Sequence, residues 1–156
     1  MCWVISNITY LFLLFQLCVS NGTKQGAVLS PYLFTRFVRP LISAISQSRL
    51  GCNIGGMITN LFAYADDMVM LAPAWHAMQA LINLLHMWCT ELDIECNTKK
   101  TVCMIFKPRS KTRYITDDFP SFTLNGSVLN FVSEFRYLGH VLHDNLNDDD
   151  DIYIEK

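Results

Sequence analysis

Residues 61–72, LFAYADDMVMLA, set two adjacent aspartates between two short apolar runs, in a chain where only 17% of residues are charged. Neighbouring carboxylates repel, and stripping water from them costs several kcal/mol per ion unless a counter-charge compensates. Leu61–Tyr64 and Met68–Leu71 read as the strands of a hairpin, stopped by Pro73, with the acids at its turn. Along one continuous strand the two side chains would face opposite ways. At a tight turn between Tyr64 and Met68 they come together, and Asp tolerates the dihedrals that such a turn demands. The expected geometry is a rigid, core-anchored ribbon with carboxylate at an exposed tip. That suits Mg²⁺, a hard cation held by one or two carboxylates plus substrate phosphates. Two such ions about 3.5–4 Å apart clamp the attacking and leaving oxygens of phosphoryl transfer. A site of that kind needs a further carboxylate from another strand. For Asp-Asp taken alone, a merely acidic surface turn is the competing reading.

The remaining sequence supplies what the ribbon would pack against. Ser30-Pro31 reads as N-cap and first helical residue, and Leu33, Phe34, Phe37, Val38, Leu41, Ile42 and Ile45 recur at helical spacing to about residue 47. Gly51, Gly55 and Gly56 break this helix. From Ala74 to Asp93 a second helix carries Trp75, Met78, Leu81, Ile82, Leu85, Trp88, Cys89 and Leu92 as its apolar stripe, a core face and not a cofactor box. Thr101–Phe106 reads as a strand, Phe122–Leu129 as a hairpin turning at Asn125-Gly126, and Phe135–Leu142 as a last strand. The expected fold class is α+β, an antiparallel sheet with the acid-tipped hairpin packed on two helices. At 156 residues, 51% of them hydrophobic, one domain or a piece of one is expected, with a real core and without disorder over most of the chain.

The net charge of −2 conceals an uneven distribution. Residues 1–142 carry eleven Lys and Arg against eight acids, whereas residues 143–156 carry six acids and one Lys. Lys99, Lys100, Lys107, Arg109, Lys111 and Arg113 fall within fifteen residues, a density suited to nucleic acid, though a solvated loop has the same look. The six cysteines, at 2, 18, 52, 89, 96 and 103, show no CxxC and no Cys/His ligand spacing, which fits reduced thiols. ITYLFLLFQLCVS, residues 8–20, resembles a signal-peptide apolar region, but no Lys or Arg precedes it, and it is short for a bilayer span of about 20 residues. An intracellular protein, in nucleus or cytoplasm, is therefore expected over a secreted one, and a membrane is not expected as a partner. Asn7, Asn21 and Asn125 each begin a glycosylation tripeptide, a pattern common by chance.

Tyr64-Ala65-Asp66-Asp67, flanked by apolar strands, resembles the catalytic hairpin of reverse transcriptases. Three further elements follow the family's order: GTKQGAVLSPYLF at 22–34, NTKKT at 97–101 and FRYLGHVL at 135–142. The ordering is similar to that of non-LTR, long interspersed element-type retrotransposon enzymes, and the likeness covers about residues 18–155. The resemblance implies a partial polymerase palm at 18–142, preceded by an apolar segment at 1–17 and followed by an acidic end at 143–156. It implies Asp66 as a metal ligand and Asp67 as a lesser ligand or support, for Mg²⁺ with Mn²⁺ as the alternative. Lys100 would neutralise or protonate departing pyrophosphate. Tyr64 would lie near the primer end, and Lys24, Gln25, Gly26 and Asn97 against nucleotide and template. Partners implied are an RNA template, a DNA primer and a deoxynucleoside triphosphate, with no small-molecule cofactor and no defined protein partner.

The chain departs from the family at one place. The family's first catalytic aspartate sits on a strand upstream of the Gln-Gly segment, yet the first acid in this chain is Asp66. With one of two metal-anchoring strands missing, the expectation is a polymerase fragment inactive alone. The alternatives are a non-catalytic nucleic-acid-binding remnant and a small secreted or membrane-anchored protein.

Overall fold

The computed structural model describes residues 11–18, 30–106 and 119–145. A strand, β1 (Leu11–Cys18), comes before helix α1 (Ser30–Gln47). Two hairpins follow, β2 (Cys52–Ile54) with β3 (Met57–Thr59), then β4 (Leu61–Tyr64) with β5 (Asp67–Ala72). Helix α2 (Trp75–Glu91) leads through the short β6 (Glu95–Cys96) into β7 (Val102–Ile105). The described chain closes with β8 (Thr123–Leu124), β9 (Ser127–Val128), β10 (Asn130–Phe131), β11 (Glu134–Tyr137) and β12 (His140–His143).

The main sheet has the order β10-β7-β1-β5-β4, with β6 joining β1 further along. β1 runs antiparallel to both neighbours, from Leu11 opposite Ala72 to Gln16 opposite Asp67 on one side, and from Leu11 opposite Ile105 to Leu14 opposite Val102 on the other. Taken in chain order, β1-α1-β4-β5-α2-β7 is the split βαββαβ arrangement, with β1 and β5 as its inner strands. The fold class is α+β, as the sequence suggests. β1 itself is the element that sequence reading does not find. An apolar run interrupted only at Gln16 gives neither a period of two nor of 3.6, so periodicity cannot tell an inner strand from a signal-like segment.

β5 is covered on both faces: Met68, Val69, Met70 and Ala72 are all buried. Burying each of the Met and Val side chains contributes about 1.5–3 kcal/mol, which anchors the hairpin to the core. Helix α2 packs against β5 and α1 and supplies Met78, Leu81, Ile82, Leu85 and Cys89 to the core, with Trp75, Trp88 and Leu92 against it, the stripe expected. α1 contributes Val38, Leu41 and Ile45, whereas Leu33 and Phe37, counted on the same stripe, are exposed. Gln79 on α2 pairs with the backbone of Thr123 in both directions, its Nε2 donating to the carbonyl at 3.0 Å and its Oε1 accepting the amide at 3.1 Å. This pairing, the stacking of Trp75 on Phe122 and the bond from Trp75 Nε1 to the Pro120 carbonyl tie the β8–β9 hairpin to the helix.

Two hairpins differ from the sequence reading. Phe135–Leu142 is not one strand: Leu138 and Gly139 take φ of 49° and 94° and fold β11 back on β12. The signal is hidden because a leucine rarely adopts the left-handed region. At Gly55-Gly56 the break in the chain is itself a turn, joining β2 to β3, with Asn53 Oδ1 accepting the Gly56 amide at 3.0 Å. The expected turn at Asn125-Gly126 is present, with φ of 50° and 72°.

Candidate active site

Tyr64 and Asp67 face each other across the hairpin, so Ala65 and Asp66 form its two-residue turn. The unusual dihedral falls on Ala65, at φ 52°, and not on either aspartate as the composition of the turn suggests. A left-handed alanine costs about 1–2 kcal/mol, borne here by the anchoring of the two strands. The tip itself is exposed at Tyr64 and Ala65, while Asp66 and Asp67 sit half-buried behind it.

Burial comes first and the adjacent Asp66 charge second in raising the Asp67 carboxyl above its usual range; the Lys100 charge works against them. Burial, and then the Asp67 charge, push the Tyr137 hydroxyl up as well. Asp67 is therefore the electrostatic meeting point of three elements: its own turn, the segment between β6 and β7, and the end of β11. Lys100 is held by a local turn. The Asn97 carbonyl accepts the amides of Lys100 and Thr101 at 3.1 and 3.0 Å and the Thr101 hydroxyl at 2.8 Å, and Asn97 Oδ1 also accepts the Lys100 amide at 3.2 Å. Asn97 thus builds the turn that presents Lys100.

β1 connects the two halves of this arrangement. After Gln16 opposite Asp67, it pairs Leu17 with Cys96 and Cys18 with Glu95, so its end runs from the acid hairpin to the base of the lysine turn. Asp66, Asp67, Lys100, Asn97 and Tyr64 are brought to one end of the sheet. Lys24, Gln25, Gly26 and most of the basic cluster, from Lys107 to Arg113, lie outside the described residues. Gln16 and Tyr137 are additions. Tyr137 read as strand structure, and the pairing that matters for Gln16 requires β1 to be seen as a strand. Among the described residues no group of three or more His, Cys, Asp or Glu could hold a metal ion. No helix among them is long and apolar enough to cross a membrane.

A split βαββαβ sheet with a carboxylate-tipped hairpin beside its inner strand defines an α+β domain of the partial polymerase-palm kind. Residues 10–142 match the family described as reverse transcriptase (RNA-dependent DNA polymerase), and the chain belongs to that family. The matched region takes in β1. The chain is 29% identical over 123 residues to the Retrovirus-related Pol polyprotein from type-2 retrotransposable element R2DM of Drosophila melanogaster, covering 77% of this chain and 12% of that protein. It is 26% identical over 130 residues to the RNA-directed DNA polymerase from mobile element jockey of Drosophila funebris, covering 80% and 13%. With the Retrovirus-related Pol polyprotein from type-1 retrotransposable element R1 of Nasonia vitripennis it shares 24% over 139 residues, covering 84% and 38%. The chain therefore spans between an eighth and two fifths of these relatives' lengths. The likeness to non-LTR retrotransposon enzymes carried by the four ordered motifs is borne out.

Proposed function

We propose that this chain is a palm fragment of a retrotransposon RNA-directed DNA polymerase in which only one of the two inner strands, β5, carries an acid, and that it does not polymerise alone. In the complete reaction the 3′-hydroxyl of a DNA primer attacks the α-phosphorus of a deoxynucleoside triphosphate paired to an RNA template. A P–O bond forms to the primer and the bond to pyrophosphate breaks. A divalent ion supplies positive charge to the phosphates when it is bound.

The chemistry of the donor set fits one such ion. Burial and the Asp66 charge hold the Asp67 carboxyl above its usual range, so a cation would relieve the repulsion between the two acids. Asp66 is the ligand and Asp67 supports it. Tyr64, exposed beside the turn, lies near the primer end. Lys100 offers its ammonium to the departing pyrophosphate, as point charge or proton donor. Asn97 sets that lysine's backbone through the turn it closes, and Lys24, Gln25 and Gly26 contact template and nucleotide. Inactivity alone is read from register and sequence: β1 places Gln16 opposite Asp67 and brings no acid to the ladder, where a third carboxylate would be needed.

The observation that carries this reading is the electrostatic convergence of Asp66 and Lys100 on Asp67. The test has two parts. Mn²⁺ added to the isotopically labelled chain should broaden the NMR signals of residues 64–68 and Lys100, and Asp66→Ala should abolish that effect; broadening elsewhere, or none, defeats the metal assignment. Primer extension on an RNA template with Mg²⁺ should give no incorporation above background, and robust extension lost in Asp66→Ala would overturn the claim of inactivity.

A further inference from the structure

Cys89, in the last turn of α2, and Cys96, in β6, place their Sγ atoms 3.3 Å apart. Their spacing of seven residues spans a helix end, a turn and a strand, and no sequence period predicts the contact. The fold produces it through the way α2 ends. Asp93 adopts φ 54°, the Ile94 amide bonds the Cys89 carbonyl at 2.8 Å and the Asp93 amide bonds the Thr90 carbonyl at 3.3 Å. That reversal is a Schellman motif, and it returns the chain alongside the helix so that Cys96 meets Cys89.

We propose that Cys89 and Cys96 are a reversible thiol–disulfide pair that staples the end of α2 to the base of the Lys100 turn. The sulfurs need to close by about 1.3 Å to reach the bonded separation of roughly 2.0 Å. The two thiols are unequal in a useful way. Cys96 is half-buried, and the Cys89 S–H bonded to it lowers its pKa, whereas Cys89 is buried and its own pKa is raised. Burial pushes Cys52 up to about 11 and Cys103 up to about 12, which leaves those thiols protonated and inert.

The oxidant is a small-molecule disulfide such as oxidised glutathione. The Cys96 thiolate attacks one of its sulfurs, forming a mixed disulfide and expelling one glutathione thiolate, which takes a proton from water. Cys89 then loses its proton to solvent and attacks Cys96 Sγ, expelling the second glutathione. Two protein thiols are oxidised to one disulfide while one glutathione disulfide is reduced to two thiols. The consequence for the site follows from chain position. Cys96 precedes Asn97, whose carbonyl holds the Lys100 and Thr101 amides. The bond therefore fixes the residue on which the lysine turn is built, whether or not the aspartates hold metal.

The full-length chain is titrated with oxidised glutathione, and free thiols are counted by alkylation and mass spectrometry. The expected result is loss of two of the six alkylatable thiols, restored by dithiothreitol. Trypsin with a glutamate-specific protease cuts at Arg49, Glu91, Glu95 and Lys99, which separates Cys89 from Cys96. Fragment spectra should then join Cys89 to Cys96. Cys96→Ser should abolish the loss, and Cys52→Ser should leave it intact. Six thiols retained, a glutathione adduct persisting on Cys96, or a first bond to any other cysteine overturns the proposal. Hydrogen exchange at the Lys100 and Thr101 amides should slow on oxidation; unchanged exchange at both overturns the coupling to the turn.

Discussion

Gln16 stands directly opposite Asp67 on the β1–β5 ladder, at the last position of that pairing before β1 turns to Cys96. Residues opposed on antiparallel strands have Cβ atoms about 4.5–5.5 Å apart, near enough for two carboxylates to share one cation. Gln16→Asp is therefore expected to tighten Mg²⁺ or Mn²⁺ binding by at least about tenfold, or about 1.4 kcal/mol, in a calorimetric titration. Without metal, the third negative charge should lower the melting temperature, and added Mg²⁺ should restore it. Equal affinities for the two proteins would remove position 16 from the account of why the chain is inactive.

The acid pair makes a second prediction, on pH. The folded Asp67 carboxyl titrates above its ordinary 3.8, so the folded state takes up a proton more readily than the unfolded chain. Stability falls as pH rises from the ordinary carboxylate value through the raised one, and the loss is complete at neutral pH. Asp67→Asn should be more stable than the parent at pH 7 and equal to it well below pH 3.8, as followed by urea unfolding at each pH. Lys100→Met removes a charge that lowers this carboxyl, and the Asp67 midpoint in a carboxyl NMR titration should move further up. A midpoint that does not respond would separate Lys100 from the acid pair.

Much of this arrangement was legible in the residues. The hairpin around Asp66 and Asp67, both helices and the Asn125-Gly126 turn follow from apolar period, a proline stop and an Asn-Gly pair, all local signals. What was hidden depends on long-range pairing. β1 shows no period because it lies between two other strands, and the role of Gln16 exists only through its register with Asp67. Cys96 meets Cys89 through the αL residue Asp93, where the usual Gly signal of a helix end is lacking. Leu138 hides the β11–β12 turn for the same reason, since the sequence marks it with only one glycine.

Gly51 offers a third prediction, of a backbone kind. Its φ of 152° is outside what side chains favour, and a Cβ there would stand 2.6 Å from the Asn60 Cβ and 2.9 Å from the Thr59 carbonyl oxygen. Neither neighbour is a flexible side-chain end, so the backbone itself must shift. Gly51→Ala should cost about 2–3 kcal/mol in urea unfolding, at the upper end for overpacking. Gly55→Ala meets no atom within 4 Å at its Cβ and carries only the strain of φ 59°, so its cost should be about 1 kcal/mol.

Asn60 supports the hairpin from behind, and its removal is expected to cost as much as the change at Gly51. The residue is 3% exposed. Its Nδ2 donates to the Ile45 carbonyl at 2.6 Å and the Leu50 carbonyl at 2.7 Å, with Ser48 Oγ at 3.3 Å, and its main-chain carbonyl separately accepts the Leu71 amide at 2.9 Å. One side chain thereby closes the C-terminus of α1, whose last carbonyls have no partner within the helix, and fastens it to the start of β4. Ile45 keeps two other donors, since the Ser48 hydroxyl at 2.7 Å and the Ser48 amide at 3.1 Å also reach its carbonyl. Asn60→Ala should therefore cost about 2–3 kcal/mol, the sum of lost bonds and a buried acceptor left bare. Asn60→Asp separates donor chemistry from shape. The ionised acid keeps the volume but turns negative oxygens toward two carbonyls, so at pH 7 it should be worse than alanine. Below the carboxylate range the protonated acid regains one O–H donor, and part of the loss should return. Urea unfolding of both variants at pH 3 and pH 7 checks this crossover. If aspartate is no worse than alanine at neutral pH, the amide acts by filling space, and the closure of α1 must be sought in Ser48.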